Sequence, residues 1–167
     1  MLVGGLGRRF AFTNHEPPTT HPAYSRMNKP FIHHVRVYWE DTDAGGVVYH
    51  AQYLAFLERA RSEWMRALGN GQELLRDVHG LVFAVRAMRT DFRAPARLDD
   101  MLDVAVELRE CRRASLVLAQ SIRRGGALLL DAEVRVAALD APTFRPRAIP
   151  APLFAALEPL AILRSHA

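Results

Sequence analysis

The stretch VRVYWEDTDAGGVVYHAQYL, residues 35–54, decides how the rest of the chain is interpreted. Apolar and polar side chains alternate from Val35 to Trp39, which is typical of a strand with one buried face. An acidic loop with two adjacent glycines follows, and a run with helical spacing of apolar residues begins near His50. A loop in this position can bring carboxylates close to the unpaired N–H groups of a helix N-terminus, which stabilise developing negative charge. The stretch is therefore our candidate active site.

The segment after this loop predicts one long amphipathic helix that stops near Gly69. One helical stripe is apolar and is expected to be buried; it consists of Tyr53, Phe56, Leu57, Ala60, Trp64, Ala67 and Leu68. The opposite face carries charged side chains. Residues 72–78 predict a short second helix.

The remainder of the chain predicts an antiparallel sheet. Alternating or apolar-rich segments cover residues 81–93, 102–109, 116–122 and 128–138, and Arg124-Gly125-Gly126 predicts a tight hairpin turn. Prolines then interrupt the pattern before a short apolar helix at residues 153–163. The predicted fold class is α+β, with one long helix covered by a curved antiparallel sheet of about five strands.

Composition bounds the possible functions. The 167 residues suffice for one domain, which we expect at residues 30–167, preceded by a flexible N-terminal extension at residues 1–29. The formal charge is +4, but the arginines are scattered, which predicts no nucleic-acid partner. No apolar run is long enough to predict a membrane span. Cys111 is the only cysteine, which favours a reducing, cytoplasmic location.

Three acidic residues, Glu40, Asp41 and Asp43, lie within four positions. On an extended backbone, Asp41 and Asp43 are expected to point to the same side. A metal-binding pair is one interpretation, although no second cluster of ligands has a recognisable spacing. A second is the D-x-D motif of haloacid-dehalogenase-type phosphotransferases, which is disfavoured because no lysine follows. A third is an acidic loop that only complements the helix dipole.

His50 stands seven residues after Asp43, at the predicted start of the helix. A histidine there can be a cap or a surface residue, but beside Asp43 it can also carry a proton, because imidazole titrates near neutral pH. His33 and His34 are adjacent in a strand and face opposite ways, so joint metal binding is not expected. We predict neither a metal site nor a cofactor.

The residues quoted above resemble the signature of the YbgC-type, Tol–Pal-associated acyl-CoA thioesterases, hotdog-fold relatives of 4-hydroxybenzoyl-CoA thioesterase. The resemblance covers about residues 30–155 and rests on four segments: residues 35–53, ERARSEW at 58–64, APARLDDML at 94–102 and RPRAIP at 145–150. It implies a hotdog fold, a long helix wrapped by an antiparallel sheet. This agrees with the element order predicted from the residue pattern.

The resemblance implies a role for each matching residue. Asp43 corresponds to the catalytic carboxylate, which attacks the thioester carbonyl or deprotonates a water molecule. The backbone N–H of His50 corresponds to the oxyanion donor, and its side chain to an assisting histidine. The loop and helix start comprise Gly45, Gly46, Tyr49, His50 and Ala51. Relatives often carry tyrosine where this chain has Trp39, whose indole N–H donates hydrogen bonds but is no acid.

The resemblance also implies partners. The substrate is an acyl-CoA or an acyl carrier protein thioester, and the chain forms a homodimer or homotetramer in which a neighbour completes each site. Candidate substrate contacts are Trp39, Tyr53, Arg86, Arg89 and Arg93, since arginine suits the phosphates of CoA. Two alternatives stay open: a hotdog hydratase or dehydratase, and a non-catalytic scaffold linked to the Tol–Pal system.

Overall fold

The computed structural model describes residues 29–162. The predicted flexible extension, apart from Lys29, and the end of the predicted last helix lie outside the described residues. No helix within the described part is long and apolar enough to cross a bilayer.

One five-stranded antiparallel sheet and one long helix make up the domain, which confirms the predicted α+β class. The strands are β1 (Phe31–Arg36), β2 (Leu81–Phe92), β3 (Met101–Arg112), β4 (Ser115–Arg124) and β5 (Ala127–Asp140). The helices are α1 (His50–Ala67), α2 (Gln72–Asp77) and α3 (Ala151–Leu157). The strand order in the sheet is β1-β3-β4-β5-β2, so the two strands that flank α1 and α2 in sequence lie at opposite edges.

The core lies between α1 and the face of the sheet that alternation predicts to be apolar. Leu116, Leu118 and Ile122 of β4 are almost fully buried there, together with Phe56 and Leu57 of α1. The hairpin between β4 and β5 turns at two glycines with positive φ, as their sequence predicts.

Gln120 is the polar exception on that buried face of β4. Its side-chain amide donates to the Leu57 carbonyl at 3.0 Å, and its carbonyl oxygen accepts from the Arg61 guanidinium at 2.7 Å. Both ends of the amide are therefore satisfied, as burial of a polar group requires. The contact fixes α1 against the middle of the sheet.

Two expectations about local structure are wrong. Trp39 was expected on the buried face of β1, but the strand ends at Arg36, and Trp39 begins a 3₁₀ turn with its side chain 79% exposed. In a 3₁₀ turn successive side chains no longer alternate between two faces as they do in a strand. The pattern of apolar and polar residues therefore does not predict which side chains are buried there. On α1, Met65 is buried in place of the predicted Ala67, which is exposed at the last helical residue.

Strand β2 is an edge strand whose outer side pairs with no strand among residues 29–162. It is 12 residues long and carries Val85 and Phe92, whose side chains are about half exposed. Its register with β5 shifts between Val85 and Ala87, which places Arg86 at a bulge. Long unpaired edges present a row of free backbone groups and favour pairing with another strand.

Asp100 stabilises the connection from β2 to β3, residues 93–100. One Asp100 carboxylate oxygen accepts from the Arg97 backbone N–H and from the Arg124 guanidinium, both at 2.7 Å. Burial raises the pKa of Asp100, but these two hydrogen bonds and the charges of Arg124 and Arg97 outweigh it and hold the pKa below its ordinary value. The charged carboxylate therefore stabilises the folded state.

This direction of shift predicts a pH-dependent effect for Asp100→Asn. Because the pKa is lower in the folded state, the stabilisation is complete above the unfolded-state pKa and is lost as the pH falls through the folded-state pKa. We expect Asp100→Asn to lower the free energy of unfolding by about 1 kcal/mol at neutral pH and to lose less further stability below about pH 4 than the parent. Urea unfolding at pH 3 to 7 measures both. Asp99→Asn is the control, since no hydrogen bond holds the Asp99 carboxylate within the described chain; an equal effect of the two variants would contradict the assignment.

Candidate active site

The acidic loop is a narrow hairpin that returns the chain to the start of α1. Thr42 and Val48 form an antiparallel bridge, and the Asp43 backbone N–H donates to the Val47 carbonyl at 3.0 Å. The Gly46 N–H donates to the Asp43 carbonyl at 3.0 Å, and Gly46 has φ of +71°, which favours glycine. The two glycines thus close a tight turn directly after Asp43.

The side chain of Asp43 is exposed and held from one side. Its Oδ1 accepts a hydrogen bond from the Gly45 backbone N–H at 2.8 Å, while its Oδ2 has no hydrogen-bond partner among residues 29–162. A Cβ atom at residue 45 would lie 3.0 Å from Oδ1, closer than ordinary contacts allow without a shift. Glycine at this position therefore lets the amide orient the carboxylate and leaves one oxygen free.

Asp41 and Asp43 do not share a side, so that expectation is wrong. Residues 39–41 form a 3₁₀ turn instead of an extended segment, and Asp41 is buried, with only 2% of its surface exposed. Its Oδ2 accepts from the Tyr38 backbone N–H at 2.8 Å, and its backbone carbonyl accepts from the Tyr49 N–H at 2.9 Å. Asp41 therefore supports the loop and the approach to α1, while Asp43 is the carboxylate that faces solvent.

Replacing Asp41 is expected to destabilise the fold. In Asp41→Ala the Tyr38 N–H loses its acceptor in a part-buried position, and such a loss typically costs about 1–3 kcal/mol. Asp41→Asn keeps an acceptor oxygen and should lose less stability. Thermal and urea unfolding of the two variants provide the test, and equal stability of Asp41→Ala and the parent would contradict this role.

The first amides of α1 are free. The Tyr49 N–H donates to Asp41 and the Gln52 N–H donates to Tyr49, but those of His50 and Ala51 have no hydrogen-bond acceptor in the described part of the chain. These two N–H groups lie at the positive end of the helix dipole. They can polarise a carbonyl oxygen and stabilise the negative charge that develops on it during nucleophilic attack. The rings of Tyr49 and His50 contact each other, with centroids 4.4 Å apart.

A cavity of about 270 Å³ opens beside this helix start. It is lined by Val48, His50, Tyr53, Phe92, Arg93, Ala94 and Pro95, so the helix forms one wall and the end of β2 forms the other. The rings of Tyr53 and Phe92 meet edge to face, with centroids 5.5 Å apart. Asp43 does not line this cavity, so within one chain the carboxylate and the cavity remain separate features.

A larger cavity of about 590 Å³ lies across β2, β3, β4 and β5 and does not include the start of α1. Several of its charged lining residues are already paired with each other: Arg93 with Asp91 and Asp131, and Arg109 with Glu107. The free amide of His50 lies at the smaller cavity instead. We therefore place the candidate site at the smaller cavity.

The predicted substrate contacts are spread over the domain. Tyr53 and Arg93 line the smaller cavity, but the Arg93 guanidinium is already paired with two carboxylates. Arg89 lines the larger cavity, Arg86 lies at the exposed bulge of β2, and Trp39 is exposed on the 3₁₀ turn. Only Tyr53 and Arg93 of the five thus line the smaller cavity.

The described residues contain no group of three or more His, Cys, Asp or Glu side chains placed to hold a metal ion.

Sequence reasoning did not identify Ala96 and Phe92 as site residues. Phe92 is the last residue of an apolar segment, which gave no signal that it forms a cavity wall. Ala96 binds Val48 and Tyr53 beside the cavity through its backbone carbonyl and N–H alone, so its side chain carries no chemical signal.

Comparisons with known proteins show the family to which the chain belongs. Residues 37–157 match the model of a family described as the thioesterase-like superfamily. The chain therefore belongs to the thioesterase-like superfamily, whose hotdog fold it has.

Within that superfamily the chain is similar to proteins of the YbgC group. It is 42% identical to the acyl-CoA thioesterase YbgC of Haemophilus influenzae over 80% of this chain and 98% of that protein. It is 50% identical to the acyl-CoA thioester hydrolase YbgC of Escherichia coli over 70% of this chain and 87% of that protein. Its fold is also similar to the crystal structure of a probable thioesterase from Bartonella henselae, with a TM-score of 0.70 and 38% identity, over 72% of this chain and 99% of that one.

Proposed function

We propose that this protein is an acyl-CoA thioesterase, which hydrolyses an acyl-CoA or acyl carrier thioester to a free acid and a thiol. The observation that carries the proposal is the pair of free amides at His50 and Ala51, beside a cavity and directly after a loop that presents Asp43. Its similarity to the YbgC thioesterases supports the same reaction.

The proposed reaction begins with attack on the thioester carbonyl. The thioester carbonyl carbon is the electrophile, and attack converts its oxygen to an oxyanion that the amides of His50 and Ala51 stabilise. The Asp43 carboxylate either attacks the carbonyl carbon to give a mixed anhydride, which water then hydrolyses, or it removes a proton from an attacking water. In both routes the C–S bond breaks and the thiolate leaves with the electron pair. The imidazole of His50, at the first residue of α1, carries the proton that the thiolate finally receives.

The orientation of Asp43 fits either route. The Gly45 amide holds Oδ1, so Oδ2 is the oxygen directed to the substrate or to the water. Label in the Asp43 carboxylate after single-turnover hydrolysis in oxygen-18 water would demonstrate the anhydride route, because only opening of an anhydride at the aspartyl carbon transfers the label to Asp43.

The functional unit is a homodimer. Two observations support this: β2 has a free outer edge, and Phe92 at the end of that edge forms a wall of the cavity. Pairing of two β2 strands brings a second chain next to this wall, which closes a cleft between the cavity and Asp43. Arg86 and Arg89 lie on the same strand and become available to the phosphates of CoA at this interface. A homotetramer, the acyl carrier protein, the Tol–Pal association and a cytoplasmic location stay predictions.

The test of the function is direct. The purified protein is incubated with acyl-CoAs of graded chain length and with acylated acyl carrier protein, and thiol release is recorded. We expect turnover of at least one acyl-CoA, with a preference set by the cavity. Binding of acyl-CoA without any thiol release would instead support the non-catalytic scaffold.

A further inference from the structure

Ala96 connects both ends of the segment that carries the free amides. Its carbonyl accepts from the Val48 backbone N–H at 2.9 Å, and its own N–H donates to the Tyr53 hydroxyl oxygen at 2.7 Å. Val48 and Tyr53 stand two residues before and three residues after His50. The amides of His50 and Ala51 therefore lie inside a segment whose two ends are attached to one residue.

Ala96 lies next to the opposite wall of the cavity. It follows Ala94 and Pro95, which line the cavity, and the chain reaches them directly from Phe92 at the end of β2. The Tyr53 hydroxyl thus crosses from the helix wall to the β2 wall. Its hydrogen bond sets the separation between the donors of α1 and the surface against which a substrate would lie.

The contact is buried and has no substitute nearby. Tyr53 is 3% exposed and Ala96 is fully buried. Burial raises the pKa of the Tyr53 phenol, in spite of the hydrogen bond from the Ala96 amide, so the hydroxyl stays neutral over the working pH range. The Ala96 N–H has no other acceptor among residues 29–162, and an unpaired amide in this position is unfavourable.

From this arrangement we infer that Tyr53 is a positioning residue: its hydroxyl, through Ala96, fixes the oxyanion-binding amides of α1 relative to the β2 wall of the cavity. The inference rests on the proposed thioesterase function and deepens it. It also changes the role of Tyr53 from a substrate contact to a support for the catalytic amides.

The variant that tests it is Tyr53→Phe, which keeps the ring against Phe92 and removes only the hydroxyl. We expect kcat for acyl-CoA hydrolysis to fall by about 10- to 100-fold, because displaced donors stabilise the transition state poorly. KM should change by less than about 3-fold, because binding of the ground state does not depend on these donors. Hydrogen exchange of the Val48 amide should become faster, since its acceptor is less firmly held.

The matched control is Asp140→Ala, which removes the acceptor of Thr143 and Arg147 at the end of β5 that pairs with Leu81, the end of β2 far from Phe92. We expect it to lower the thermal midpoint at least as much as Tyr53→Phe while keeping kcat close to the parent. If the two variants lose kcat in proportion to stability, Tyr53 has only a structural role and the inference is wrong. A rise in KM at constant kcat in Tyr53→Phe would also overturn it, in favour of a substrate contact.

A second variant serves if Tyr53→Phe does not fold. Ala96→Gly retains both hydrogen bonds but frees the backbone that connects them, and it should lower kcat in the same selective manner by a smaller factor; an unchanged kcat would overturn the inference. Failure of the proposed function itself looks different. In that case the parent protein releases no thiol from any acyl-CoA, or the Asp43→Asn protein is as active as the parent.

Discussion

Replacing Asp43 with asparagine is expected to reduce acyl-CoA hydrolysis by about 10³-fold or more, while the protein remains folded and dimeric. Asparagine is nearly isosteric and its side-chain oxygen can still accept the Gly45 hydrogen bond, so the loop should keep its shape. The amide has no negative charge, however, and can neither attack a carbonyl nor take a proton from water. Initial rates of thiol release, measured with saturating acyl-CoA, give the loss in kcat.

Glu40→Gln is the matched control for this variant. It removes one negative charge from an exposed side chain of the same loop, three residues away, whose recorded contact to Gln52 uses only the backbone carbonyl. We expect less than about a 3-fold change in rate, because an exposed charge in water acts weakly at this distance. Equal losses in the two variants would mean that loop charge, and not the Asp43 carboxylate, supports the reaction. Full activity of Asp43→Asn would remove Asp43 from the mechanism.

The parts of the fold that the sequence predicted are those in which many residues repeat one pattern. Helix α1 and the strands β3, β4 and β5 each contain several apolar residues at the spacing that their secondary structure requires, so one exception does not change the prediction. Gln120 is such an exception. It occupies a buried position in β4 and is tolerated because Leu57 and Arg61 satisfy both ends of its amide.

The parts that the sequence did not predict depend on a single turn or on backbone groups. Alternation from Val35 onwards gave no sign that a 3₁₀ turn begins at Trp39, and this turn separates Asp41 from Asp43. The hydrogen bond between Ala96 and Tyr53 could not be predicted either. Its donor is a backbone N–H, which every residue except proline has, so the sequence does not single out Ala96. Contacts of this kind depend on the path of two distant segments, which no local pattern encodes.

The sequence predicted which residue types form the candidate site, but not how these residues are arranged in space. An acid, two glycines and a histidine before a helix indicate carboxylate and oxyanion chemistry, and the structure adds the unpaired amides of His50 and Ala51. It also shows that one chain does not bring Asp43 to the cavity. The edge of β2 is unpaired next to that cavity, and in the proposed homodimer a second copy pairs with this edge.

Val85→Glu is therefore expected to prevent dimerisation and to lower activity. Val85 lies on the free edge of β2 and is half exposed. In a two-fold symmetric interface the substitution occurs twice, so two carboxylates replace apolar side chains at the paired edges and must lose their hydration when the strands pair. We expect a monomer at micromolar concentration and a loss of hydrolysis of about 10²-fold, because the cleft loses its second wall.

Light scattering after size exclusion measures the mass, and thiol release measures activity, on the same samples. Val78→Glu is the control: this valine is 67% exposed but follows α2 and lies outside β2, so the variant should remain dimeric and active. A monomeric parent that hydrolyses acyl-CoA at full rate would show that one chain forms the complete site. A Val85→Glu protein that stays dimeric would place the interface elsewhere. If activity falls together with dimerisation across a series of protein concentrations, the second copy contributes to the site itself, because stability of the single domain does not depend on dilution.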